Sequence, residues 1–180
     1  MMIYYLSFLN TKTFKKNPFK IILRAIILFF LTTFKISIKI KYKFGPKYIE
    51  FIFLPLKRHM GGRGLFLFRE NLEPLLKYGY KLIKKGDVVI DGGANQGVFT
   101  LAFAKKVEKS GKVFAIEPFK YCIDIINNNS RLNNLNNIKT LNYCLFNKEQ
   151  TMKIDYTKGI GSASIVRKFG NKTKFVRTIV

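Results

Sequence analysis

Histidine occurs once in this 180-residue chain, at His59, cysteine occurs twice, and tryptophan is absent. A lone histidine excludes a multi-histidine metal centre and argues against a Ser-His-Asp mechanism. Cys122 and Cys144 form no C-x-x-C pair, so neither a zinc site nor a disulfide framework organises the chain. Free thiols agree with a reducing, cytoplasmic compartment. Acidic residues are scarce, 10 against 33 Lys and Arg, and none precedes Glu50. Long apolar runs are missing too. The stretch between Arg24 and Thr32 holds 7 residues, well short of the ~20 that span a bilayer. No small-x-small cleavage site follows it, which argues against a signal peptide.

What is present is enough for a core: 48% of residues are hydrophobic, 18 of them Phe. The net charge of +23 is spread along the chain, with 12 basic side chains against one acid in residues 1–60. No compact Arg or Lys run interleaved with stacking aromatics marks a nucleic-acid motif, so no specific nucleic-acid partner is expected. A field of this sign attracts anionic membrane. Asn17-Pro18 reads as a helix start, and the apolar residues 19–34, interrupted by Lys20 and Arg24, read as a helix that packs on the following domain or lies in a membrane interface. Residues 1–45 are therefore the expected peripheral contact with the inner membrane surface.

Residues 34–44 alternate apolar side chains with Lys, the pattern of a half-buried strand with its Lys side in water. Gly45-Pro46 breaks it, and residues 48–54 predict a second strand. Gly61-Gly62-Arg63-Gly64 reads as a turn, with a short strand at 65–68 after it, and Asn71 as the cap of a helix over 72–83. These observations divide the chain into a basic N-terminal region, 1–69, and a second unit, 70–180.

The second unit reads β-α-β-α-β. Val88-Val89-Ile90 predicts a strand buried on both faces of a parallel sheet. Helix 98–107, strand 113–116, helix 121–132 and strand 138–145 follow, with short connections that require a parallel sheet and right-handed crossovers. The Asn cluster at 127–137 reads as a helix end and turn. A hairpin-like pair, 152–156 and 174–180, closes the chain through Gly159–Gly161, where Ser162 and Ser164 sit in a turn.

Two acids, Asp91 and Glu117, stand at the carboxyl ends of the first two strands of this unit, the edge at which open α/β sheets bind ligands. Gly92, Gly93 and Gly97 let the backbone approach a ligand, and amides near Val98 can take a carboxylate. Glu117, as an acceptor-only carboxylate, suits the two hydroxyls of a ribose. The loop Asp91-Gly92-Gly93-Ala94-Asn95-Gln96-Gly97 does not meet G-x-G-x-x-G, and an acid beside it is a poor neighbour for a pyrophosphate. A ligand with a cation and a ribose fits the pair better than NAD, which points to S-adenosylmethionine.

The stretch 85–97 resembles the first motif of FkbM-family methyltransferases, whose core reads acid-x-Gly-Ala-Asn-x-Gly. Ala115-Ile116-Glu117-Pro118 is similar to their second motif, residues 126–138 to the next helix and turn, and 142–154 to the segment after it. The resemblance covers about residues 70–170. It implies a class I, Rossmann-like, doubly wound α/β fold and methyl transfer from S-adenosylmethionine to a hydroxyl oxygen of a sugar, other glycan or small secondary metabolite. By the family's pattern Asp91, Gly93, Asn95 and Gly97 line the methionine end of the cofactor, Glu117 holds the ribose, and Pro118 and Phe119 lie near the adenine. The family's later Leu-Asp-Asp and Ile-Lys-Ile-Asp-Val-Glu-Gly segments have no counterpart here, and the last acid is Asp155. No catalytic base is identified, and the chain reads as a domain incomplete at its C-terminal side, with weakened or lost turnover. The competing expectations are a non-catalytic membrane-surface protein and a nucleotide-binding fragment.

Overall fold

The computed structural model describes residues 12–44, 47–53, 63–68, 74–156, 163 and 171–180. The expected turns at Gly45-Pro46 and 159–162, Ser164, the cap Asn71 and His59 lie outside them.

A short helix α1 (Lys12–Lys16) leads into α2 (Pro18–Thr33), which starts with Pro18 in its first turn, as Asn17-Pro18 predicts. Ile21, Leu28 and Leu31 form its buried stripe. Lys35 ends it in the left-handed region (φ 54°), and the Ile36 N–H closes back on the Leu31 carbonyl at 2.9 Å. The strand expected over 34–44 therefore begins only at Ile38. β1 (Ile38–Phe44) and β2 (Lys47–Phe53) form an antiparallel pair. Ile40 and Tyr42 are buried while Lys39, Lys41 and Lys43 are exposed, which is the outcome the alternation predicts.

Residues 65–68 are not a strand. They belong to α3 (Arg63–Phe68), whose Phe66 and Leu67 are buried. Among the described residues this short apolar run has no strand to pair with; it packs on α2 instead, and Arg24 Nη1 donates to the Leu67 carbonyl at 2.8 Å. Helix α4 (Pro74–Leu82) follows.

The second unit runs β3 (Val88–Gly92), α5 (Val98–Val107), β4 (Lys112–Ile116), α6 (Lys120–Leu132), β5 (Ile138–Leu141). The three strands are parallel in the order β3-β4-β5, in register Val89↔Val113 and Val113↔Ile138. Val89, Val113 and Ile138 point to the face that α5 and α6 cover, and they join one core with Leu101, Ile125, Tyr42, Phe51 and Leu28. That core crosses from the basic N-terminal region into the parallel unit.

Val88 and Ile90 point the other way and are 69% and 67% exposed. This corrects the expectation of a strand buried on both faces. The two helices pack on one side of the sheet; on the other, Leu145 packs over Gly92 at the end of β3, and no described residue buries Val88 or Ile90.

The Asn cluster does more than end a helix. Asn129 on α6 and Asn133, which caps the helix one turn later, reach the outer edge of β2. Asn133 Oδ1 accepts from the Glu50 N–H at 2.8 Å while its Nδ2 donates to the Glu50 carbonyl at 2.5 Å, and Asn129 Oδ1 accepts from the Ile52 N–H at 2.7 Å. A side-chain amide carries both a donor group and an acceptor, so Asn133 meets the N–H and the carbonyl of Glu50 as a neighbouring strand would, while Asn129 meets the Ile52 N–H alone. Asn137 Nδ2 meanwhile donates to the Ala104 and Glu108 carbonyls at the end of α5.

The strand expected over 138–145 breaks at Asn142, whose Nδ2 donates to the Glu117 carbonyl at 2.8 Å. The chain leaves β5 there and re-forms as β6 (Cys144–Leu145). β6 runs parallel to β8 (Thr173–Ile179), which is antiparallel to β7 (Thr151–Asp155), giving the expected hairpin pair a third strand.

Candidate functional site

The site forms where the carboxyl ends of β3 and β4 meet the β6–β8–β7 sheet. The loop after β3 folds back on the end of β4: the Gly93 and Ala94 N–H groups both donate to the Ile116 carbonyl, at 2.9 and 3.1 Å. Gly93 (φ 75°), Asn95 (φ 49°) and Gly97 (φ 84°) all occupy the left-handed region, so alternate residues reverse the chain sharply. Gly97 caps the start of α5. A Cβ there would meet Ile126 Cγ1 at 2.7 Å, whereas one on Gly93 would meet nothing within 4 Å. Gly97 is thus needed for both its φ and its contact, and Gly93 for its φ alone.

Glu117 is the centre of the arrangement. It is 4% exposed, and each carboxylate oxygen takes a backbone amide: Oε2 from Asn95 at 2.8 Å, Oε1 from Phe119 at 3.0 Å. Burial pushes its pKa up. The Phe119 and Asn95 amides pull it down, the Asp91 charge raises it again, and Lys174 on β8 lowers it. An ionised carboxylate offers about four lone-pair sites, so each oxygen keeps capacity for one further donor.

A cavity of about 300 Å³ opens beside it, at the small end of ligand pockets. Gly92, Gly93, Asn95, Glu117, Pro118 and Phe119 line it, so six of the eight residues singled out from the sequence come together. Asp91 and Gly97 do not reach the cavity wall. Asp91 shares the orientation of Ala115, toward the helices, and its Oδ2 accepts from the Thr100 hydroxyl at 2.5 Å. Burial raises its pKa, and the Thr100 hydroxyl and amide oppose that shift. Asp91 therefore pins α5 to β3 at the rim of the site.

The remaining wall includes Tyr143, Cys144 and Leu145 after β5, with Ile154 from β7 and Ala163. Nothing in the local sequence marks these residues. They are brought in by the break at Asn142 and by pairing with β8, about 30 residues further on. Phe119 packs edge-on against Tyr156 (centroids 5.4 Å apart), with Lys174 Nζ 5.7 Å from its ring centroid.

Among the described residues of this wall, none is built as a thiolate nucleophile or a metal centre. Burial and the neighbouring Glu117 raise both thiols, Cys122 to about 12, so neither supplies a thiolate near neutral pH. No cluster of three or more His, Cys, Asp or Glu side chains that could hold a metal occurs among the described residues. What the geometry offers is a buried anion beside a Cβ-free loop and an aromatic ring. That set can grip a polyhydroxylated, cationic or flat ligand.

Among solved structures, a chain from Clostridium thermocellum assigned as an rRNA methylase is similar at 23% identity over 41% of this chain and 40% of its own, with a TM-score of 0.39. A SAM-dependent methyltransferase from Aquifex aeolicus is similar at 24% identity over 38% of this chain and 40% of its own, TM-score 0.35. Coclaurine N-methyltransferase, solved with N-methylheliamine and SAH, aligns over 78% of this chain and 40% of its own at 18% identity and a TM-score of 0.36. The chain thus matches about 40% of the length of these proteins. No protein-family model and no curated protein matches it. The likenesses are partial, and the α/β assignment stands on the strand order and parallel register of β3-β4-β5.

Proposed function

We propose that the cavity at the carboxyl ends of β3 and β4 holds S-adenosylmethionine and that the chain carries the cofactor-binding part of an FkbM-like methyltransferase acting on a hydroxyl oxygen of a sugar or small metabolite. The observation that carries this reading is Glu117: a buried carboxylate fixed by two backbone amides, at the end of the second strand of a parallel unit, with an acceptor site left on each oxygen. Adjacent hydroxyls of a ribose supply two donors at that spacing.

The residues present fit the cofactor. Gly93 leaves room for backbone approach, since a Cβ there would meet nothing within 4 Å, whereas the space beside Gly92 is taken by Leu145. Phe119 offers a flat apolar surface to a base. Glu117 and Asp91 bring two negative charges to the rim, against a net charge of +23 that would otherwise repel a sulfonium; screening over ~8–10 Å lets these local charges dominate. When bound, the cofactor supplies an electrophilic methyl group for in-line displacement. The protein's share of that chemistry is orientation of the donor at near-attack distance. Glu117 is the one carboxylate in the described cavity wall, and its oxygens are engaged in holding the loop, so the hydroxyl proton is not assigned to it.

Calorimetric titration of the full chain tests the reading. S-adenosylhomocysteine should bind at one site per chain, with NAD at least about tenfold weaker, because the loop lacks the pyrophosphate cradle of a dinucleotide fold. NAD binding tighter than S-adenosylhomocysteine would transfer the site to the nucleotide-binding reading, and binding of neither would remove the cofactor.

A further inference from the structure

The outer face of α2 is apolar in a way that the fold does not explain. Phe19, Ile22, Leu23, Ile26, Phe29 and Phe30 are each 45–82% exposed and fall within an arc of about 120° at 100° per residue. The buried stripe Ile21, Leu28 and Leu31 lies on the opposite side. The helix is thus apolar on its outer side as well as its buried side but covered only on the latter, and an apolar helix face is ordinarily buried. The one hydroxyl on the outer arc, Thr33, donates back to the Phe29 carbonyl at 2.9 Å, so the face carries no unmet polar group. Phe34 and Ile36, 66% and 48% exposed, extend it beyond the helix.

Cations frame this face. Lys15, Lys16 and Lys20 are exposed at its N-terminal end and Lys35 at the other, and the first 49 residues contain no acid. At 1.5 Å per residue the 16-residue helix is about 24 Å long, less than the ~30 Å hydrocarbon core. No helix among the described residues is long and apolar enough to cross a membrane. From this combination we infer that α2 lies in the plane of an anionic lipid surface, with its outer face sunk among the acyl chains and the flanking lysines at the headgroups. A second copy is the poorer occupant, because it brings another +23 against the first. The inference is independent of the cofactor site, which lies on other elements.

Flotation of the full chain with mixed phosphatidylcholine–phosphatidylglycerol vesicles tests it. The protein should float with these and remain largely unbound with pure phosphatidylcholine. The triple variant F19S/I26S/F30S alters only exposed side chains. It should keep the parent's circular dichroism while its partitioning falls at least about tenfold, and K15E/K16E should lower partitioning about tenfold and make it less salt-dependent. Since the chain lacks tryptophan, Phe30→Trp gives a single reporter whose emission should shift to the blue on addition of anionic vesicles. Failure of the parent to float, equal flotation with neutral vesicles, or undiminished flotation of F19S/I26S/F30S would overturn the inference. So would a lipid-free dimer that the triple variant dissolves, which would make the face a self-association surface.

Discussion

Replacing Glu117 with alanine should weaken S-adenosylhomocysteine binding about a hundredfold, and replacing it with glutamine about tenfold. Alanine removes the proposed acceptor for two ligand hydroxyls and leaves the Asn95 and Phe119 amides without their partner, and each orphaned buried donor costs about 1–3 kcal/mol. Glutamine keeps the shape but has one acceptor and one donor group, so one of the two amides faces an N–H and the local negative charge is gone. Calorimetry measures the affinities, and urea unfolding of the same variants separates loss of recognition from loss of fold. Binding by Glu117→Gln within about twofold of the parent would show that the carboxylate is not the ribose acceptor.

The same group sets an unusual pH dependence. Burial is the largest influence on both Glu117 and Asp91 and raises them above their ordinary values of 4.5 and 3.8. Above the raised values both are ionised, and the fold carries the cost of their burial. As pH falls through those values, the native state takes up protons before the unfolded chain does, so stability increases until the unfolded carboxylates also protonate near their ordinary values. Ligand affinity moves the other way, because the hydroxyls need the ionised acceptor. Mild acidification should therefore strengthen the free chain while weakening S-adenosylhomocysteine by up to about tenfold per pH unit.

Gly97→Ala should destabilise the chain by about 3 kcal/mol. The left-handed conformation at φ 84° costs an L-residue roughly 1–2 kcal/mol, and the new Cβ would stand 2.7 Å from Ile126 Cγ1, an overpacking that costs about 1–3 kcal/mol. Gly93→Ala shares the φ but not the contact and should cost about 1–2 kcal/mol. Because the clash exists only while Ile126 is present, Gly97→Ala combined with Ile126→Ala should be less destabilised than the sum of the two single changes, by about 1–2 kcal/mol. Strict additivity in urea unfolding would mean that the backbone relaxes and the side-chain contact is immaterial.

Much of this was open to reading from local pattern. The Ile–Lys alternation specifies which face of β1 is wet, since a strand's period is two and the chemistry of its two sides differs completely. Glu117 and the glycines around Gly93 could be singled out because their roles depend on the ends of adjacent strands. What escaped depends on distant partners. Val88 and Ile90 have the composition of a doubly covered strand, but coverage is decided by which side the helices pack on. Residues 65–68 are too few to separate strand from helix periodicity, and α2 decides the matter. Tyr143, Cys144 and Leu145 enter the cavity wall because Asn142 turns the chain toward a strand some 30 positions away. Asp91 stands at the predicted strand end, yet its carboxylate is taken up by Thr100.

The amides of Asn129 and Asn133 have a further consequence. They join β2 to a helix some 80 residues later in the chain, over a core that Tyr42 and Phe51 share with Leu101 and Ile125. The amino-terminal hairpin is thereby tied to the parallel α/β unit by side chains as well as by the peptide link. The two should therefore melt as one cooperative body, and a cut in the intervening polypeptide should leave a nicked complex instead of two liberated pieces.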